Sequence, residues 1–519
     1  MTIRNRYRRG STSLLAVFFV TLFSVLALSF VGMSNVNVQM ANNHEHMVSA
    51  MMAAESGLEY ADTLIASYME LYEASSFDAG VSDSEALAEF TAMAGHVQVT
   101  AAGTIPAAAA FDEGGGNTGT VLNVPAISVK SGDTATFSLQ FKQYDDTPQE
   151  FEVTSTGTSG GLSRTVLLRY NIVKDTTLLQ YAVASRSRII ITGDSTIEGD
   201  IMSTWGSSPE ETPETWADIA PPFELAADST VNGTMSTVLT EQVWGDSDNS
   251  HTDVILGTHD GLLFEQPEIP GYETSDFDTT VYANMTTDLP TAGSTQYERF
   301  PHGPDGYTDW TSGAKWFARD VYAGETLSNV RVPAGSDALF QNCTFEGVLY
   351  IEGSMSSGQQ NNIRFENCNF NGIIVTAVPD TFDWKDNVLY FTGGAIFNNT
   401  FSDAATILAP NFNVNIGNTQ SLETSPSTIK GLVVGGIVDV RGNANFEGTI
   451  LSMYDPSPLG YSAAAYGTNA GYSDENNEAG SVEYDGTILI SPDPDNLLPL
   501  GVSARIVLSR DADSFVELY

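Results

Sequence analysis

The chain has 519 residues, too many for one small core, so two or three domains are expected. A hydrophobic fraction of 42% excludes general disorder, and 46 glycines point to a turn-rich, β-dominated body. The net charge of −44 at pH 7 argues against nucleic acid as a partner, because so acidic a surface repels phosphate backbones.

Arg4, Arg6, Arg8 and Arg9 precede Gly10, and no formal charge follows before Glu45. Leu14–Met33 is a nearly unbroken apolar run of bilayer-spanning length. The basic leader predicts a single pass through the inner membrane with the N-terminus cytoplasmic and the bulk periplasmic or at the cell surface. A cleavable secretory signal peptide is the rival. The run is longer than the apolar core of such a peptide, however, and no A-x-A site follows it. Apolar residues then recur at Met47, Met51, Ala54, Leu58, Ala61, Ile65, Tyr68 and Tyr72, with Glu45, Glu55, Glu59, Asp62, Glu70 and Glu73 off that stripe. A continuous helix over 11–73 would be about 95 Å long. His44 and His46 flank Glu45 two residues apart, which places them on different helix faces and reads as surface.

Gln39-Met40-Ala41-Asn42-Asn43, followed by Ala53-Ala54-Glu55-Ser56-Gly57-Leu58-Glu59 and Ala61, resembles the N-terminal region of PilX-type minor pilins and pseudopilins. Arg9-Gly10 before a small residue and leucines resembles a prepilin peptidase site, which would cut between Gly10 and Ser11. The resemblance is confined to the N-terminal helix. It implies a filament subunit whose partners are other pilin-like subunits and the pilus assembly machinery. Two departures stand out. Leu15 occupies the position where major pilins carry a glutamate, and Ser11 would replace the usual Phe or Met. The missing carboxylate resembles pseudopilins placed at a filament tip.

Ser82-Asp83-Ser84-Glu85 predicts a capping box opening a helix through Met93. Strands are predicted over Val121–Val129, Thr134–Phe141, Phe151–Ser155 and Thr165–Val173, with a last one near Ser503–Leu508. The expected organisation is a leader over 1–10, the helix over 11–73, a pilin-like α+β head with antiparallel strands over 74–175, and a mainly-β domain over 176–519 with an irregular insertion at 203–320.

That last domain contains a repeat of the form small or apolar, polar, apolar, polar, Gly, variable, apolar. Its copies are Ser195–Ile201, Ser229–Met235, Cys343–Leu349, Cys368–Ile374, Ser427–Val433, Ala444–Ile450 and Val482–Ile488. Glycine spacings within the clusters are 34, 25, 17 and 38. Seventeen suits one turn of a compact solenoid, and 34 and 38 suit two. A parallel β-helix is expected because such units bury a core only by stacking. The rhythm resembles bactofilin-like proteins; a β-sandwich is the alternative. Cys343 and Cys368 fall at the same repeat position, so neighbouring coils would bring them within disulfide range. Two stacked core thiols are the other reading.

Trp205, Trp216, Trp244, Trp310 and Trp316 lie in the insertion and form a candidate ligand surface for polysaccharide, against the duller reading that they supply its core. No zinc cluster, Walker loop or nucleophile elbow is present, and no cofactor is expected. Asp246–Ser250 is too incomplete to support calcium. The expected role is structural and not enzymatic: a minor, tip-located pilin-like subunit displaying an adhesive β-helix. The alternative is a membrane-tethered β-helix that binds or cleaves polysaccharide.

Overall fold

The computed structural model describes residues 9–72, 74–130, 134–206, 221–240, 254–266, 273–298, 317–353, 361–380, 382, 387–398, 405–417, 426–455, 467–470, 487–493 and 498–518. The chain forms two compact units, one of 1–74, 81–173 and 506–519, the other of 75–80 and 174–505.

In the first unit, helix α1 (Arg9–Leu71) runs without interruption for 63 residues. Its second half buries Ala54, Leu58, Ala61, Ile65 and Tyr68 of the apolar stripe, Met51 is partly buried, and the stripe's ends Met47 and Tyr72 are exposed. Helix α2 (Asp83–Thr100) begins at the capping box, where Ser82 and Glu85 satisfy each other's backbone amides, and buries Ala86, Phe90, Met93 and Val97. An antiparallel sheet follows through β2 (Ala109–Asp112), β3 (Thr118–Ser128), β4 (Thr136–Tyr144), β5 (Glu150–Ser159) and β6 (Leu162–Lys174); β1 is the short Ser75–Ser76 pair of the second unit. Alternation is strict: Phe137, Leu139 and Phe141 face the helices, whereas Ser138, Gln140 and Lys142 face outward.

The C-terminal strand Ala504–Leu518 pairs beside β6. It runs antiparallel, since Arg164 pairs with Glu517 at 3.4 Å while the Arg169 N–H donates to Ser514 Oγ at 2.8 Å. The predicted end at Leu508 is therefore ten residues short, and 506–519 leaves the 176–519 domain in which the sequence placed it. Ile506 and Leu508 complete the head core, which is the physical reason for the return.

The second unit is a parallel β-helix whose coils contribute to three sheets. Sheet I stacks, in spatial order, 326–328, 344–346, 369–371, 396–397, 427–430, 444–447, 488–490, 195–197, 230–231 and 258–259. Sheet II carries the residues just after each corner, such as Val348–Ile351 and Ile373–Thr376, and sheet III carries strands such as Asn361–Glu366 and Asn387–Thr392. Parallel pairing throughout these coils excludes the sandwich. The first coil in the chain, 181–197, sits in the middle of the stack, because Ile488–Ile490 pairs with Ser195–Ile197 and Ile450–Ser452 with Val183–Ser185. The strand Ser294–Glu298 lies antiparallel to Phe317–Val321 at the other end of the array.

The repeat glycines mark the corner between sheets I and II. A Cβ on Gly372 would stand 1.9 Å from Gly347 O, and one on Gly448 would stand 1.9 Å from Gly431 O. Only hydrogen fits between successive carbonyls there. Two details of the repeat need correction. Spacings of 34, 25 and 17 each span one coil, since Thr196 pairs with Thr230, Thr344 with Asn369 and Ser427 with Ala444. Extra residues fall between the paired strands. The copy at Val482–Ile488 is out of register, because the strand begins at Ile488, which pairs with Ala444.

Two aromatic columns fill the interior. Tyr322, Phe340, Phe365 and Phe391 stack at 4.9, 5.3 and 4.9 Å, and Phe345, Phe370 and Phe397 at 5.1 and 4.5 Å. A second apolar layer covers the outside of sheet II, where Leu178, Leu179, Phe277, Tyr282, Leu498 and Val502 pack over residues that include Val348, Ile373 and Val434. Part of the 203–320 insertion is regular, since Phe223–Leu225, Thr230–Thr237 and Thr258–Leu263 are coil strands.

Candidate functional site

The most distinctive surface is the first half of α1. Leu14, Phe18, Phe23, Leu28, Phe30 and Met33 are all exposed. A window of the helix has mean hydropathy 2.7 with none of it buried, making this the one described helix long and apolar enough to cross a membrane. Its hydroxyls are already satisfied: Thr21 donates to Val17 O at 2.9 Å, Ser24 to Val20 O at 2.7 Å and Ser29 to Val25 O at 2.8 Å. No side-chain donor in this stretch needs water, the condition for burial in hydrocarbon. Gly10 and Ser11 fall in the first turn of α1, and their side chains lie outside the described residues.

Where α1 meets the sheet, two glycines interlock. A Cβ on Gly57 would stand 2.1 Å from Ser155 Oγ, and one on Gly157 would stand 2.0 Å from Ala50 O. At Gly157 the strand touches the helix backbone to backbone, whereas Gly57 makes room for the Ser155 and Phe137 side chains. The Gly57 of the pilin-like motif has a packing role that its sequence context alone did not disclose. Gly157 was missed because the predicted strand stopped at Ser155; an isolated glycine within a strand was the available signal. His44 is exposed, whereas the His46 ring lies over Gly160 with Nδ1 3.2 Å from Ser159 Oγ, so it is a joint residue. Asp62 binds two sheet strands to the helix, accepting from Tyr170 and from Arg510, the latter at 2.9 Å. Burial raises its carboxyl pKa while Arg510 opposes. Tyr68 donates to Glu89 at 2.7 Å between the two helices.

The other candidates disperse. Trp205 is fully buried and serves as core, which removes it from any ligand surface. Trp216, Trp244, Trp310 and Trp316 lie outside the described residues, as does Asp246–Ser250. Cys343 and Cys368 are buried thiols on adjacent coils with no disulfide between them in this structure. Cys343 Sγ donates to Tyr322 O at 3.3 Å and Cys368 Sγ to Phe340 O at 3.4 Å.

Among the described residues no group of three His, Cys, Asp or Glu is arranged to hold a metal. A shallow groove of about 400 Å³ on the outer face of the head, lined by Pro106, Asn123, Ser138, Gln140, Thr154 and Thr156 among others, has no ionisable lining group and offers only hydrogen bonds. A second groove, of about 390 Å³, contains Asp146, Glu150, Glu152 and Arg169, but Arg169 and Glu152 already pair at 3.1 Å. Outward residues of sheet I form two ranks. One runs Thr344, Asn369, Ile396, Thr428, Asn445 and Leu489, its polar residues interrupted by two exposed apolar ones; the other is polar, with Glu346, Asn371, Asn398, Lys430 and Glu447. Many of these bond sideways, as with Asn398 to Asn371 at 2.7 Å, Asn232 to Glu198 at 2.9 Å and Lys430 to Glu447 at 2.7 Å.

No family model and no curated protein matches the chain. Among solved structures it is similar to the competence-associated pilin ComZ from Thermus thermophilus, with a TM-score of 0.29 and 12% identity over 91% of this chain and 97% of that one. It is also similar to an ice-binding protein from the Antarctic ascomycete Antarctomyces psychrotrophicus, with a TM-score of 0.20 and 11% identity over 61% of this chain and 98% of that one.

Proposed function

We propose that this chain is a membrane-anchored, pilin-like structural subunit that assembles with other pilin-like subunits and displays its β-helix as an adhesive module, without catalytic activity. One observation carries the reading: a single unbroken helix has an exposed, internally satisfied apolar half, and its other half locks beneath an antiparallel head sheet through Gly57 and Gly157. Such a helix serves as an anchor before assembly and as packing surface within a filament. Leu15, where major pilins have a carboxylate, favours a minor or tip position. N-terminal sequencing of the protein from sheared filaments tests this. A start at Ser11 is expected; a start near residue 30, or absence from the filament fraction, would sink the reading.

A second reading has one observation in its favour: the polar rank of Glu346, Asn371, Asn398, Lys430 and Glu447 on sheet I recurs at the coil spacing of about 4.8 Å and suits a polymeric glycan. Polysaccharide retention by a full-length protein that never enters filaments would select it.

A further inference from the structure

Cys343 and Cys368 each follow an asparagine in the left-handed region, Asn342 at φ 52° and Asn367 at φ 53°. Each occupies the turn from sheet III into sheet I. Thr344 pairs with Asn369, and the Asn369 N–H donates to Cys343 O at 2.9 Å. The two cysteines are therefore one coil apart at equivalent positions, with Cα atoms separated by about one strand spacing, roughly 4.8 Å. That lies within the range a disulfide spans. Both side chains are fully buried.

We propose that Cys343 and Cys368 are a modification site, oxidised after export to an inter-coil disulfide that staples the second and third coils of the ascending stack. The inference rests on the reading that this domain is exported to an oxidising compartment. Terminal coils of a stacked array have a neighbour on one side only and open first. The coil of 317–332 lies near that end, covered beyond it only by the short strands 287–288 and 294–298, and the staple stands directly behind it.

The chemistry is a dithiol–disulfide exchange with a small or protein disulfide as oxidant. The first attacker is whichever thiol ionises before the coils close, for example Cys343. Cys343 thiolate displaces one sulfur of the oxidant and forms a mixed disulfide. Cys368 then gives up its proton and attacks Cys343 Sγ, expelling the second sulfur of the oxidant as a thiol. Two electrons and two protons leave the protein, and the oxidant's disulfide becomes two thiols. Burial confines the reaction to folding, before the coils close.

The test refolds full-length protein in detergent with oxidised and reduced glutathione, quenches with acid, alkylates and weighs the chain. The expected product is lighter than the dithiol by the mass of two hydrogens, takes up no alkylating agent, and yields a crosslinked Cys343–Cys368 peptide. Two alkylated cysteines, a lasting glutathione adduct or a disulfide-linked dimer would overturn the proposal. Ser195 and Ser229 occupy the same corner in other coils, so C343S/C368S should fold; its melting is expected to ignore reductant, whereas the native chain melts lower in reductant. Equal reductant sensitivity in both would likewise overturn it. Oxidation in vitro with free thiols in protein quenched directly from cells would sink the export reading and leave the geometry standing.

Discussion

Small residues decide most of what is specific here. Gly157→Ala would drive a methyl group into Ala50 O, so the sheet must move off the helix. We expect a loss of about 1–3 kcal/mol, seen as faster amide exchange along 50–61 than in the native chain. Gly372→Ala meets a carbonyl at the coil corner and should cost about 3 kcal/mol in the β-helix while leaving exchange in the head unchanged. A third residue responds to pH. Burial raises the Asp337 carboxyl to about 6, with the Arg319 guanidinium opposing. The folded state then holds its proton more tightly than the unfolded state does. The associated stability is complete below the ordinary carboxylate pKa of about 4 and is lost as pH rises through 6. Melting of the β-helix should fall between those values, and Asp337→Asn should flatten that part of the profile.

At the scale of elements, local periodicity made the helix, the head strands and the glycine corners legible in the sequence. Met47 to Tyr72 is a helical stripe, and Phe137 to Phe141 alternates, because each buries one face. Coil length was not legible. The sheet requires only that strands match, so residues added between strands lengthen a coil without disturbing its register, and spacing stops measuring turns. The order of coils was hidden as well, since the pairing of Ile490 with Ile197 joins positions that no local pattern relates. Among site residues, the anchor and the equivalence of the two cysteines could be read directly. The fate of Trp205 could not, because an aromatic side chain in an irregular segment serves core or ligand equally well.

Taken whole, the molecule is an α+β head interrupted between its last two strands. Within the second unit the Asp175 N–H donates to Arg505 O at 2.8 Å, so the chain leaves and re-enters the head sheet side by side. Replacing 176–503 by a short turn should therefore leave a folded head, checked by native-like amide protection of β4–β6. Ending the chain at Ser503 should instead leave β6 an open edge, with rapid proteolysis of the head as the readout.

The same paired crossing has a mechanical meaning. Tension on 174–505 reaches α1 covalently through Lys174 alone, because beyond Arg505 the chain continues only into the C-terminal strand, which sheet hydrogen bonds hold beside β6. A cut beyond Arg505 therefore leaves the covalent path intact, whereas a cut at Lys174 leaves the second unit held by one strand that load must unzip from β6.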